Sequence, residues 1–235
     1  MRLRLLATFI FSFYAFVAQA QNSEPEIDNS SSKPSRDFFM FQLNYEGWLN
    51  APDSLNVSGF GRGVNAYICY DFPLGKSNFS FAAGIGIGTS NIYFKDRQIS
   101  FTDTSSTNAQ VIWGPETTRD YNRYKLTTAY IDAPFELRYF SNKENRNKGF
   151  KAAIGLRPGM LVGAHTKGNF SVNGNKMNEK LNSRRFFESW RIGTTLRLGY
   201  GNFTLMGTYN LTTLFKEGLG PEVTPFSLGL CLTGL

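Results

Sequence analysis

The sequence predicts an all-β protein, a closed antiparallel up-and-down transmembrane β-barrel of about eight strands. Three observations predict this fold: an export signal at the N-terminus, alternation of apolar and polar residues in eight segments, and connections that are alternately long and short. After the N-terminal signal, no segment reaches the roughly 18 to 20 continuous apolar residues that a membrane-spanning helix needs. We therefore expect strands rather than helices to cross the membrane.

Residues 1–20 have the three parts of a secretory signal peptide: a basic start, a short apolar core over residues 5–17 and an A-x-A cleavage site. The predicted site consists of Ala18, Ala20 and the new N-terminal residue, Gln21. The alternative is an uncleaved anchor helix, but the apolar core is short for one. The residue directly after the site is not a cysteine, so a lipoprotein anchor is not expected.

Residues 21–37 are polar and contain several Ser and Pro, which is typical of a flexible segment, and we predict a periplasmic lead-in there. Residues 38–235 are the predicted outer-membrane barrel domain. Loss of the signal peptide removes two arginines, so the formal charge falls from +7 to 23 − 18 = +5. The basic residues are scattered over an exported chain, so nucleic acid is not an expected partner.

Alternation with a period of two, which indicates a strand with two different faces, occurs in eight segments. In the last one, Phe226, Leu228 and Leu230 fall on one face, and Ser227 and Gly229 fall on the other. The eight predicted strands cover residues 38–49, 59–72, 78–93, 125–140, 150–164, 190–200, 203–212 and 224–235.

The connections between these strands are alternately long and short. Residues 73–77, 141–148 and 201–202 are the short ones, and residues 94–124 form the longest. Outer-membrane barrels have short periplasmic turns and long extracellular loops. With an even strand count, this pattern predicts that both termini lie in the periplasm.

The charged residues indicate which face meets lipid. An Arg or Lys facing hydrocarbon costs about 2 to 4 kcal/mol at the bilayer midplane, and the apolar faces carry almost no charge at strand centres. A soluble barrel of the lipocalin kind would instead direct its apolar face inward. We therefore predict that the charged faces line the lumen, with a charge network formed by Glu46, Asp132, Glu136, Arg138, Lys151, Arg157, Arg191 and Arg197.

Eight strands leave room inside a barrel for side chains but not for a wide channel. The lumen charges are therefore expected to pair around Glu136, Arg138, Arg157 and Arg197, and to act as a structural plug. The alternative is an ion or substrate path. Pro134 and Pro158 each lack a donor for the strand ladder, so each is predicted to mark a bulge or a strand end.

The segment Tyr130-Ile-Asp-Ala-Pro134-Phe-Glu-Leu-Arg-Tyr139 resembles a strand of the outer-membrane β-barrel domain family that is widespread in Bacteroidetes and includes porin-family and PorT-like proteins. Residues 155–159 and 227–234 also resemble that family, although the chain ends in Leu235 where such barrels usually end in an aromatic residue. The resemblance implies the barrel fold, an outer-membrane location and dependence on the barrel-insertion machinery, and it leaves the activity open. The matching residues are Tyr130, Asp132, Pro134, Leu137, Arg138 and Tyr139.

No group of residues indicates catalysis or a cofactor. His165 is the only histidine, and no Ser or acid lies within a few residues of it to build the triad that barrel-borne lipid A deacylases use. Cys69 and Cys231 are predicted on strands separated by the first strand, which is too far for a disulfide. We expect free thiols, no metal, no cofactor and no enzyme activity.

The predicted function is that of an outer-membrane β-barrel with a plugged polar lumen and long extracellular loops, in a structural or binding role. The loop 94–124 is the predicted binding surface, because loops of that length are usually functional or disordered. Two alternatives remain: an accessory component of an envelope assembly such as a protein-secretion machine, with an envelope protein as partner, and a narrow pore. Outer-membrane lipid is the other expected partner.

Overall fold

The computed structural model describes residues 39–233, except residues 53–54, 56, 58, 96, 102–110, 116–120, 143 and 146. The predicted signal peptide (1–20) and the predicted lead-in (21–37) lie outside the described residues. In the described part of the chain, no helix is both long enough and apolar enough to cross a membrane.

The described residues form strands with short connections at one end and longer ones at the other. Their bounds are β1 (Phe39–Leu49), β2 (Gly61–Pro73), β3 (Phe79–Phe94), β4 (Arg97–Phe101), β5 (Val111–Pro115), β6 (Tyr121–Asp132), β7 (Phe135–Phe140), β8 (Phe150–Val172), β9 (Asn175–Asn182), β10 (Trp190–Tyr200), β11 (Phe203–Asn210) and β12 (Thr224–Thr233).

The barrel closes because β1 pairs with β2 on one side and with β12 on the other. Around the barrel the antiparallel order is β1, β2, β3, β6 with β7, β8, β10, β11 and β12. β6 and β7 act as one strand, since both pair with β3 on one side and with β8 on the other. The predicted closed antiparallel barrel of eight strands is therefore confirmed.

Two prolines explain the break between β6 and β7. The Ala133 N–H donates to the Pro158 carbonyl at 2.8 Å, and the Gly84 N–H donates to the Pro134 carbonyl at 2.9 Å, but neither proline has an N–H to return the bond. Pro134 thus lies at a strand end, as predicted. For Pro158 the prediction is wrong, because this residue lies inside β8. Its missing N–H leaves one hydrogen bond out of the ladder opposite Ala133.

A hairpin extends from the barrel wall where the sequence analysis predicts a loop. β8 is 23 residues long, and its last part pairs with β9. Asn173 and Gly174 form the two-residue turn, with φ angles of 51° and 79°. Asn-Gly is the strongest short hairpin signal, so this dipeptide is the signal that predicts the hairpin. β4 and β5 form a second, separate hairpin within the longest connection.

A β-bulge in β8 reverses which residues face outward. Ala129 pairs with Gly163 and Tyr130 pairs with Leu161, so Val162 is the extra residue. Odd-numbered residues of β8 point inward before the bulge and even-numbered residues point inward after it. His165 therefore faces outward, whereas uninterrupted alternation predicts a lumen-facing histidine.

The outer surface of the barrel is an apolar belt. In β10, apolar side chains are exposed along 11 residues, which is about 33 Å along the strand and about 25 Å along the barrel axis at the usual tilt. That height matches the apolar band of an outer-membrane barrel. Exposed side chains of the belt include Leu43, Val64, Ile68, Phe81, Ile85, Ile87, Ile131, Phe135, Leu137, Ile154, Leu156, Ile192, Leu196, Leu198, Leu205, Leu228 and Leu230.

We predict that a cation in the middle of this belt destabilises the barrel in a bilayer. Leu196 lies near the centre of β10 with 52% of its surface exposed, so Leu196→Arg should lower the free energy of unfolding by about 2 to 4 kcal/mol. The matched control is Leu74→Arg in the short turn after β2, where the cost should be about 0 to 1 kcal/mol. Urea unfolding in phospholipid vesicles, followed by gel mobility, measures both. Equal costs would contradict the lipid-facing assignment of β10.

Candidate functional site

The lumen contains two clusters of ionic side chains, and the first is centred on Glu136. Its Oε2 accepts hydrogen bonds from Arg138 Nε at 2.8 Å and from Arg197 Nη2 at 2.6 Å, and its Oε1 accepts from Arg197 Nε at 3.1 Å. Arg138 Nη1 donates to Asp71 Oδ1 at 2.9 Å. All four side chains are buried. The cluster ties β2, β7 and β10 together across the interior.

The second cluster is centred on Asp132 at the end of β6. Arg191 binds this carboxylate in a bidentate manner, with Nη2 to Oδ2 at 2.6 Å and Nε to Oδ1 at 3.1 Å. The Tyr67 hydroxyl donates to Oδ2 at 3.0 Å and accepts from Arg157 Nη1 at 3.1 Å. The Arg191 guanidinium also lies 3.8 Å from the centre of the Tyr130 ring. Here β2, β6, β8 and β10 are joined.

Two of the eight predicted network residues lie outside these clusters, near opposite ends of the lumen. Lys151 is buried near the short turns, where its Nζ donates to Thr233 Oγ1 at 3.4 Å. Glu46 lies near the C-terminal end of β1, away from the short turns. It lines a cavity of about 20 Å³ together with Ser90 and Arg191. The structure thus groups six of the predicted residues in two clusters: Asp132, Arg157 and Arg191 in one, and Glu136, Arg138 and Arg197 in the other.

Glycines in the wall make room for the Asp132 cluster. A Cβ atom at Gly88 would lie 2.6 Å from Asp132 Oδ2 and 2.9 Å from Arg191 Nη2. A Cβ atom at Gly159 would overlap Asp132 Oδ1. The carboxylate and its guanidinium partner can therefore lie against the wall only because β3 and β8 carry no side chain at these positions.

The end of the lumen opposite the short turns is closed by an apolar cluster, which we call the cap. Its side chains come from the upper parts of β1, β3, β6 and β8 and from three connections that turn inward. Leu214 accepts a backbone hydrogen bond from Glu188 N–H at 3.0 Å, and Phe186 accepts one from Lys216 N–H at 3.0 Å. The cap residues from the connections are Leu55, Phe186, Phe187, Leu214, Phe215 and Val223, each at most 5% exposed.

The sequence analysis did not predict the cap. Its signal is the presence of the neighbouring large apolar pairs Phe186-Phe187 and Leu214-Phe215 in the connections between strands. Such pairs are unusual in solvent-exposed loops, because large apolar side chains are stabilised by burial. Phe187 and Phe215 lie with their ring centres 5.0 Å apart and join two of the connections to each other.

The chemistry of this interior is the pairing of carboxylates with guanidinium groups. The carboxylates of both clusters are bound by guanidinium groups, and two cavities beside the clusters have volumes of only about 20 and 10 Å³. A cavity of that size has room for about one water molecule. Within the described residues, no group of three or more His, Cys, Asp or Glu side chains is placed to hold a metal ion.

The remaining candidates for chemistry are separate from each other and from the clusters. His165 faces outward and pairs in the sheet with Thr127 and Asn182. Cys69 and Cys231 are buried and free, as predicted, and β1 lies between their strands. Neither cysteine lies near the only histidine of the sequence in the strand order.

A comparison with protein families agrees with this geometry. The family model described as outer membrane protein beta-barrel domain matches residues 15–216 of the chain. No curated protein and no solved structure matches the chain.

We predict that Glu136→Gln is strongly destabilising. The substitution removes the negative charge between Arg138 and Arg197 and leaves two buried guanidinium groups without it, which typically costs about 3 to 5 kcal/mol. The control is Glu144→Gln in the exposed turn between β7 and β8, for which we expect almost no change. Urea unfolding in detergent micelles measures both. If Glu136→Gln unfolds at the same urea concentration as the unchanged protein, the cluster does not stabilise the barrel.

Proposed function

The chain belongs to the outer membrane protein beta-barrel domain family and is an outer-membrane β-barrel protein; from this premise we propose that it is a non-conducting barrel with a plugged lumen and a structural or binding role at its outer surface. The observation that carries this proposal is the cap above two clusters of paired charges. An ion that crossed this lumen would have to displace both a packed aromatic cluster and bidentate ion pairs.

We propose that residues 1–20 are cleaved on export and that both termini are periplasmic. The connections at the two ends of the barrel support this orientation. Those joining β2 to β3, β7 to β8 and β10 to β11 are short, and those at the other end are long enough to carry hairpins or the cap. Short turns face the periplasm in outer-membrane barrels.

The proposed binding surface consists of the two hairpins at the outer end, β4–β5 and β8–β9. Part of the loop 94–124 lies outside the described residues, but the backbone of β4 pairs with that of β5 from Arg97 to Phe101. All eight residues of β9 are exposed. Paired strands beyond the apolar belt provide a surface that is more rigid than an irregular loop, because their backbone groups hydrogen-bond to each other.

We propose that the barrel is not an enzyme. A catalytic histidine needs a nucleophile and an orienting group within hydrogen-bond distance. The neighbours of His165 in the sheet are Thr127 and Asn182, with Lys167 and Lys180 one row further along the strands. None of these side chains is an acid that could orient the imidazole.

A second candidate function is that of an accessory component in an envelope assembly, such as a protein-secretion machine, which the resemblance to PorT-like proteins suggests. The specific observation in its favour is β9, which pairs only with β8 among the described strands. The other edge of β9 pairs with none of the described strands, and an extended segment of a partner protein can add to an edge strand.

We predict that the purified protein does not conduct ions. In planar lipid bilayers, the unchanged protein should add no resolvable conductance steps, because the cap and the ion pairs fill the lumen. The control for a narrow pore is Arg197→Gln, which removes a lumen charge. The proposal would be contradicted if the unchanged protein showed conductance steps and Arg197→Gln changed the ion selectivity of those steps, since both results together would show a pore.

We also predict that the outer-end hairpins determine which proteins bind. Affinity purification of the tagged chain from native outer membranes, followed by mass spectrometry, should recover a partner in stoichiometric amount if the chain is part of an assembly. Deletion of residues 100–118 and removal of residues 171–172 with 175–176 test the two hairpins separately. The second change preserves the Asn173-Gly174 turn and places the pair of Phe170 and Met177 next to it. A partner retained by both variants would exclude residues 100–118 and the tip of the β8–β9 hairpin as its binding surface.

A further inference from the structure

Three neighbouring strands carry cations at directly opposite positions. Lys125 of β6 pairs with Lys167 of β8, and Lys167 pairs with Lys180 of β9. Directly opposite residues of antiparallel strands have their side chains on the same face, with Cβ atoms about 4.5 to 5.5 Å apart. Arg123 lies two residues before Lys125 in β6, and His165 lies two residues before Lys167 in β8, so they share that face on opposite sides of the lysine row. We call these five residues the basic face.

The basic face points away from the cap. Lys125 alternates with Tyr124 and Leu126, which are 6% and 2% exposed and belong to the cap. It therefore shares its direction with Ile131, an exposed member of the apolar belt on the same strand. The bulge at Val162 is what turns His165 and Lys167 of β8 to this outer side.

No acidic side chain of the described residues in these three strands shares the basic face. Glu179 of β9 is on the opposite face, where it accepts a hydrogen bond from the Tyr121 hydroxyl at 2.7 Å. Lys125 Nζ instead donates to the neutral Asn91 Oδ1 at 2.7 Å, and the Arg123 guanidinium lies 5.8 Å from the centre of the Tyr93 ring.

The cations of the basic face repel each other. Arg123 and Lys167 both act electrostatically against the charge of Lys125, and Lys125, Lys167 and Lys180 all act against a charge on His165. Like charges at directly opposite positions destabilise a sheet. An external anion that lies across the three strands would remove this repulsion, so the arrangement fits an anionic ligand.

The position of the basic face indicates which anion that is. His165 pairs with Thr127, four residues from Ile131, and Lys125 is six residues from it. These separations are about 13 and 20 Å along the strand, and the strand tilt reduces them to about 10 and 15 Å along the barrel axis. Ile131 is the exposed large apolar residue of β6 nearest this end of the barrel. The basic face therefore lies at the edge of the apolar belt, where lysine side chains can extend toward lipid headgroups.

We propose that the basic face binds the phosphate groups of phosphorylated glycolipid headgroups in the outer leaflet. Such a lipid places an anion beside the barrel wall, at the height where these cations point outward. The assignment to the outer leaflet rests on the orientation proposed above, whereas the binding of phosphorylated headgroups rests only on the geometry of the face. A row of three strands gives one headgroup several cations to contact at the same time.

The test uses the full mature chain, reconstituted in phosphatidylcholine bilayers with and without diphosphoryl lipid A. Bound lipid A is measured by native mass spectrometry after transfer to detergent. We expect the unchanged protein to retain lipid A and Lys125→Gln/Lys167→Gln to bind it about 10- to 30-fold more weakly, because each basic residue near a membrane surface contributes to the binding of anionic lipid. The matched control, Lys76→Gln/Lys148→Gln, removes the same charge from the short turns and should bind like the unchanged protein.

Three results would overturn the proposal. One is equal lipid A binding by both double variants. Another is equal retention of lipid A from which the phosphates have been removed, since that would assign the binding to acyl chains. The last is full displacement of lipid A by inorganic phosphate, which would assign the face to free phosphate. Gel mobility before and after heating checks folding, and Lys125→Gln/Lys167→Gln should be at least as stable in detergent as the unchanged protein.

Orientation is measured independently of lipid binding. A membrane-impermeant thiol reagent on intact cells should label Lys180→Cys and not Lys76→Cys, since the native cysteines are buried. The reverse labelling with intact lipid A binding would contradict the proposed orientation and leave the ligand assignment unchanged. Correct labelling without lipid A binding would contradict the ligand assignment alone.

Discussion

The pairing of buried charge across a narrow lumen is the interaction on which the rest of this structure depends. Glu136 holds Arg138 and Arg197, and Asp132 holds Arg191, within an interior too small to hydrate them. A buried charge that lost its partner would be costly, so the strands must close in the one register that brings these groups together. The glycines of β3 and β8 are part of the same constraint, since they give the ion pairs their space.

The interior of the barrel differs in polarity between its two ends. At the short-turn end, the buried charge of Lys151 reaches Thr233 on the last strand, next to a small apolar cluster that includes Met40 and Met206. At the other end, three connections turn inward and replace water with packed aromatic rings. This closure is the observation behind the proposal of a non-conducting barrel. Under that proposal, the surfaces for recognition are the hairpins beyond the belt and the outward face of the wall.

Local irregularities position those surfaces. The bulge at Val162 reverses the alternation of β8 and thereby turns His165 and Lys167 outward next to Lys125. Pro134 and Pro158 lack backbone N–H groups, and the hydrogen bonds missing there divide one wall strand into β6 and β7. The division directly follows Asp132 in the chain. Both irregularities lie in the wall section where the ion pairs and the basic face meet. Bulges often re-aim side chains near functional sites in this manner.

Period-two alternation and the cost of charge in hydrocarbon are local properties of a strand, so the residues alone predict the eight strands, the apolar outward face of each up to the bulge in β8, and the charged groups of the lumen. Which lumen charges meet is a property of the folded barrel. Arg197 and Glu136 are 61 residues apart in the chain, and barrel closure and strand tilt set their contact. The cap, the direction of His165 and the row of three lysines also depend on pairing between distant strands, and the alternation within a single strand carries no information about its partner.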